Sequence, residues 1–226
     1  MIVVTGIGWL DDKEYGYTIG KHKKSYKGFD SLYACFKNES IFSYPVKNFK
    51  RFDIISKNTC FSVALALKDA GIIYSYDQKH ADKSDIGVLG TNEQGCLESN
   101  INYYKDYIES GRILARGNLF IYTLPSTPMA EAAIHFGLSG PLLHMSFSDR
   151  KFSSMLYFAK KSITDKETPT MIAVKAEESC AIAFVLEKED NVLNKKNLNF
   201  ENVVTASEKA VFDEMVSALT DLNCFS

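Results

Sequence analysis

Short apolar runs alternate along the chain with stretches in which apolar residues recur every three or four positions. Ile2–Val4 predicts a buried strand, and Gly6-Ile7-Gly8 predicts the tight turn that stops it. Asp30–Phe36 predicts a short helix. Ile54–Ala70 predicts a longer one, because Ile55, Phe61, Ala64, Leu65 and Leu67 make a helical stripe. Gly71 follows it, at the position where a helix end calls for left-handed backbone. Asp85–Leu89 predicts a second strand, closed by Gly90. Leu97–Ser110 predicts a helix bearing Tyr103, Tyr104 and Tyr107, ended by Gly111. After a loop through Pro125 and Pro128, Met129–Phe136 predicts a short helix ended by Gly137. Leu142–Ser146 predicts a strand and Asp149–Ile163 a helix, with Ser148 or Asp149 placed to cap it. Met171–Lys175 and Ala181–Leu186 are two strands with little between them, which predicts a hairpin. In the tail, Val211, Met215, Leu219 and Leu222 predict one amphipathic helix near Glu208–Leu222.

This order of strands and helices favours an α/β layer fold with a mixed five-stranded sheet covered by helices. The 226 residues suffice for one sizeable core, and 46% hydrophobic with 24% charged residues is ordinary globular composition. The net charge of −2 is not gathered into blocks, so nothing argues for nucleic acid. Lys21, Lys23, Lys24 and Lys27 form a local basic run that reads as a solvated loop. Five cysteines, an odd number with no CxxC spacing, point to reduced thiols and a cytoplasmic setting. The N-terminus begins like a strand rather than a signal peptide, and no apolar run approaches the ~20 residues of a membrane span.

Candidate chemistry is sparse. Thr5-Gly6-Ile7-Gly8 lacks the third glycine of a dinucleotide fingerprint, since Asp11 stands there, and no helix follows to face a pyrophosphate. His22, His80, His135 and His144 show no metal-ligand spacing, so no metal or other cofactor is expected. Cys60 and Cys180 lie in apolar runs and read as core. Cys96, ahead of a helix, is the cysteine best placed to be a nucleophile, but no base is assigned to it.

Laid end to end, these segments resemble the N-terminal half of the β-ketoacyl synthases, which have the thiolase fold. Val3-Val4-Thr5-Gly6-Ile7-Gly8 is similar to that family's opening strand, and Leu67-Lys68-Asp69-Ala70-Gly71 to the end of its first long helix. Ile86–Thr91 followed by Gly95-Cys96-Leu97-Glu98 is similar to its second strand and glycine loop. Pro125-Ser126-Thr127-Pro128, then Phe136-Gly137-Leu138-Ser139-Gly140-Pro141, is the most specific stretch, and Val185-Leu186-Glu187 is similar to the last strand of the half. The resemblance covers residues 1–187, which implies a single thiolase-like half domain there and a 188–226 tail.

Two departures shape what the resemblance implies. The family's cysteine stands nine positions after the glycine of Gly-Pro; from Gly140 that count reaches Asp149, a degenerate nucleophile position. A carboxylate is a weak nucleophile toward a thioester. The family's two histidines come from its C-terminal half, and no histidine follows His144 here. The resemblance therefore implies a non-catalytic partner of the chain-length-factor kind, of the aryl polyene or polyketide type. It would pair with a full-length β-ketoacyl synthase, or with itself, and an acyl carrier protein is a further expected partner. Leu142, His144 and Ser146 would lie at the dimer interface, and Leu119, Phe120, Met129 and Ala133 would face the partner's acyl tunnel. Two alternatives stay open: an acyltransferase or hydrolase acting on acyl thioesters, and a stand-alone acyl-binding homodimer.

Overall fold

The computed structural model describes residues 1–74, 85–113, 116–148, 151–192 and 196–222. Among these, eight strands form one mixed sheet. In chain order they are β1 (Ile2–Leu10), β2 (Glu14–Tyr17), β3 (His22–Ser25), β4 (Ile86–Thr91), β5 (Leu142–His144), β6 (Thr170–Ala176), β7 (Ala181–Lys188) and β8 (Leu198–Asn199). The helices are α1 (Gly28–Asn38), α2 (Ile54–Asp69), α3 (Leu97–Glu109), α4 (Gly117–Phe120), α5 (Thr127–Phe136), α6 (Phe152–Thr164), α7 (Phe200–Ser207) and α8 (Phe212–Leu222). The sheet order is β3-β2-β1-β7-β6-β4-β5, with β8 on β1. The β4 strand runs parallel to β5 and β6, and the other pairs are antiparallel.

The five expected strands are the contiguous block β1-β7-β6-β4-β5, and the expected β6–β7 hairpin forms. The sheet is nonetheless wider than five strands. β2 and β3 extend it where a solvated loop was expected: Lys23 pairs with Glu14, and His22 and Lys24 with Glu39. A larger correction concerns Gly6-Ile7-Gly8, which does not turn. β1 runs through it to Leu10, and all nine of its residues are buried. The glycines serve helix packing instead. A Cβ on Gly6 would fall 2.7 Å from the Ala70 nitrogen, so α2 lies on β1 only because none is there.

α2 begins at Asp53, whose Oδ1 accepts the Ser56 N–H at 2.8 Å, and ends at Gly71 with φ +62°. Asp69 near its end accepts the N–H groups of Ile7, Ile19 and Gly20 at 2.9, 3.0 and 2.7 Å, clasping the turn before β3 to β1. Gly140 plays a comparable part for β5. A Cβ there would meet the Ile86 backbone at 2.5 Å, so the Gly-Pro segment can run close alongside β4.

Each face of the sheet carries its own core. On one, α1, α2 and α5 pack with Phe36, Phe61, Leu65, Phe136, Val88 and Val185. On the other, Met155, Leu156, Ala159 and Ile163 of α6 pack with Phe184, Phe200, Val203, Met215 and Leu219. Among the described residues the tail thus holds a short strand and two α-helices where one was expected, and α7 and α8 are built into the second core. Val211 precedes α8 and is exposed, so it is not part of the stripe assigned to it. α6 starts at Phe152 rather than at residue 149; its cap position is Lys151, with no side-chain cap bond, and Ser148 is not the cap.

Candidate functional site

The parallel strands β4, β5 and β6 end on the same side, and ligands of open α/β sheets gather outside such carboxyl ends. A cavity of about 450 Å³ opens there, between the α2 N-terminus and α8, with Cys180, Lys209, Phe212 and Met215 on its wall. A second of about 230 Å³ adjoins it, lined by Asn92, Ser146, Ser148 and Lys151. Glu93, Phe152 and Lys175 line both, and so stand between them.

The β4–β6 register builds this divide by bringing Thr91 beside Lys175. The Lys175 ammonium lies 2.6 Å from Glu93 Oε1 and 4.9 Å from the Phe152 ring centroid. The Glu93 N–H in turn donates to Glu177 Oε1 at 2.8 Å. Burial pushes the Glu177 carboxyl above its usual range. Asn58 Nδ2 donates to the Glu177 and Glu178 carbonyls at 2.8 and 3.1 Å, fixing the loop between β6 and β7. These residues lie far apart in the chain, and only the rule about strand ends points to them in sequence.

The thiols here are poor nucleophiles. Burial pushes the Cys96 thiol up to about 11, with the Asp53 charge adding to it. Burial, then the Glu177 charge, also raises Cys180, which lines the larger cavity half-buried rather than lying fully in the core. Cys60 is fully buried and raised further by burial. The thiolate is the nucleophile and the metal ligand, and these upward shifts lower its fraction at neutral pH. Burial lowers His135 to about 4 and lowers His144, so both imidazoles are neutral. Among the described residues, His22 pairs with Glu39, and no group of three or more His, Cys, Asp and Glu is assembled as a metal site needs. Asp149 and His80 lie outside the described residues.

Leu142 and His144 lie on β5, and Ser146 follows it at the rim of the smaller cavity. Among the described residues, β5 is the terminal strand of the sheet. The Met145 N–H donates to the Gly90 carbonyl at 3.0 Å, and the Pro141 carbonyl accepts from Val88 at 2.8 Å, so odd-numbered residues face β4. Strand alternation then turns the N–H and C=O groups of Leu142 and His144 outward. Leu119 and Phe120 sit on α4, away from β5, with Phe120 about half exposed and its ring 5.7 Å from that of Tyr103. Met129 and Ala133 are buried in this chain's own core, Met129 against Gly90. The structure thus joins the three interface candidates in one segment and divides the four tunnel candidates between an outer helix and the core.

No family model and no curated protein matches the chain. Solved structures do. A β-ketoacyl synthase from Burkholderia phymatum STM815 superposes with a TM-score of 0.60 at 17% identity, over 84% of this chain and 59% of that one. The ishigamide ketosynthase/chain length factor gives 0.60 at 11% identity, over 87% and 64%. A ketosynthase in complex with its chain length factor from Xenorhabdus doucetiae gives 0.53 at 12% identity, over 83% and 79%. The fold is that of the ketosynthases, a thiolase-like mixed sheet covered by helices, and the chain spans about three-fifths of the first two. Among the described residues, no helix is long and apolar enough to cross a membrane.

Proposed function

We propose that this chain is a non-catalytic partner of a β-ketoacyl synthase, of the chain-length-factor kind, acting in polyene or polyketide assembly. It pairs through the outer edge of β5 and shapes the acyl tunnel of its partner by steric exclusion. The observation that carries this reading is the sheet edge: Leu142 and His144 turn backbone groups outward from the terminal strand, and no described residue pairs with them there. Such an edge is a template for strand addition. α5, which packs beside β5, adds the exposed Ile134, and Phe120, Ile121 and Leu124 are exposed further off on the α4 side. In this reading Leu119 and Phe120 meet the partner, while Met129 and Ala133 act from behind by fixing α5. An acyl carrier protein would deliver its cargo to the partner's thiol.

Ketosynthases solved with chain length factors or with an acyl carrier protein share the fold, which supports the pairing. Asp149 at the counted nucleophile position, and the upward shifts of the Cys96 and Cys180 thiols, favour this reading over an acyl-thioester enzyme.

Co-expression with a full-length ketosynthase of the same organism tests it. The expected result is a one-to-one complex by native mass spectrometry. His144→Pro removes an outward N–H without touching the ladder to β4, and is expected to weaken the complex about tenfold or more. A ketosynthase that never associates, or an association indifferent to His144→Pro, contradicts the pairing mode.

A further inference from the structure

α3 is a thirteen-residue helix without a single buried residue. Leu97, Ile101, Tyr104 and Ile108 follow one another at steps of four, three and four, and they are 54%, 43%, 62% and 37% exposed. This is the alternating seam of a two-helix coiled coil, with Leu97 and Tyr104 as one set of knobs and Ile101 and Ile108 as the other. The opposite face, with Tyr103 and Asp106, is already used: Tyr103 meets Phe120, and Asp106 pairs with Arg116 at 3.3 Å. Leu97 also borders the larger cavity, and Ile101, Tyr104 and Ile108 continue the seam on the side away from Tyr103 and Asp106.

We infer that α3 is a self-association helix whose apolar seam packs antiparallel against α3 of a second copy of this chain. Charge selects this occupant and this direction. With the two-fold axis between Ile101 and Tyr104, Leu97 lies opposite Ile108 of the other copy, and Ile101 opposite Tyr104. The flanking positions then place Glu98 beside Lys105 of the other copy, and Lys105 beside its Glu98, so both contacts are attractive. Glu98 also lies close enough to Glu178 to raise that carboxyl above its usual range. An incoming lysine ammonium relieves that crowding.

Size sets the strength. At roughly 150–250 Å² for a fully exposed large side chain, the four seam residues uncover about 400 Å² per copy. Two copies bury less than the roughly 1,200–2,000 Å² of a standard stable interface, so the dimer is weak and concentration-dependent. The inference rests on a different element from β5 and is independent of the ketosynthase reading.

Sedimentation equilibrium of the full chain tests it. Twice the chain mass at about 100 µM, falling toward the chain mass near 1 µM, is the expected result. Ile101→Glu should leave only monomer, with unchanged far-ultraviolet circular dichroism because the site is exposed. Glu98→Lys and Lys105→Glu should each weaken association roughly tenfold, and the double exchange should restore it. A wild-type monomer at about 100 µM overturns the inference. So does a dimer that survives Ile101→Glu, or a double exchange that is no better than either single change.

Discussion

α2 and α3 are helices of similar length in the same chain, and they are solvated in opposite ways. Twelve of the residues of α2 are buried, because sheet, α1 and α5 surround it. None of α3 is. A helix apolar on all sides belongs inside a domain, whereas one with a single apolar stripe implies something to cover it. The contrast separates what holds this fold together from what the fold presents to others. Stability resides in the two cores beside the sheet. α3 and the outer backbone edge of β5 offer surface that the other described residues do not cover.

The contrast is broken most severely by Phe61→Ala in α2. That ring is fully buried and lies 4.6 to 5.6 Å from the rings of Phe36, Phe49 and Phe42. The loss should be about 3–5 kcal/mol by urea denaturation.

Next comes His135, buried among the rings of Tyr44, Phe136, Phe42 and Tyr74 at 4.6 to 6.1 Å. Burial lowers its pKa to about 4, so from about pH 6.5 downward the unfolded chain takes a proton that the native one refuses. Stability must fall with pH over that window, by about 3 kcal/mol. His135→Phe should flatten the slope, and a slope that persists would assign the effect elsewhere.

Gly6→Ala drives a methyl to within 2.9 Å of the Ala70 Cβ and should cost about 2 kcal/mol, read from the denaturation midpoint. Ile101→Ala on α3 should change monomer stability by less than about 0.5 kcal/mol while weakening self-association. A large stability loss there would mean that α3 is covered after all.

The sequence shows the central strands plainly, because strands buried on both faces are apolar throughout. It hides β2 and β3, whose polar Glu14 and Lys23 pair with each other on the sheet surface. Gly6 and Gly8 mislead because glycine marks both a turn and a close helix contact, and local pattern does not distinguish the two. The α3 seam is visible as spacing, but its exposure is decided by what packs nearby. Lys175 and Glu93, 82 positions apart, meet only once β4 and β6 pair. Of the proposed contact residues, Leu142 and His144 lie on the terminal strand of the described sheet. Met129 and Ala133 illustrate how an apolar helix position can equally be core.

The central claim is that this chain assists acyl chemistry without carrying the acyl group. Incubating it alone with a radiolabelled acyl carrier thioester, then denaturing and separating the protein, tests that directly. The account predicts no label on the chain. Stable label that Cys96→Ala or Cys180→Ala removes would contradict it.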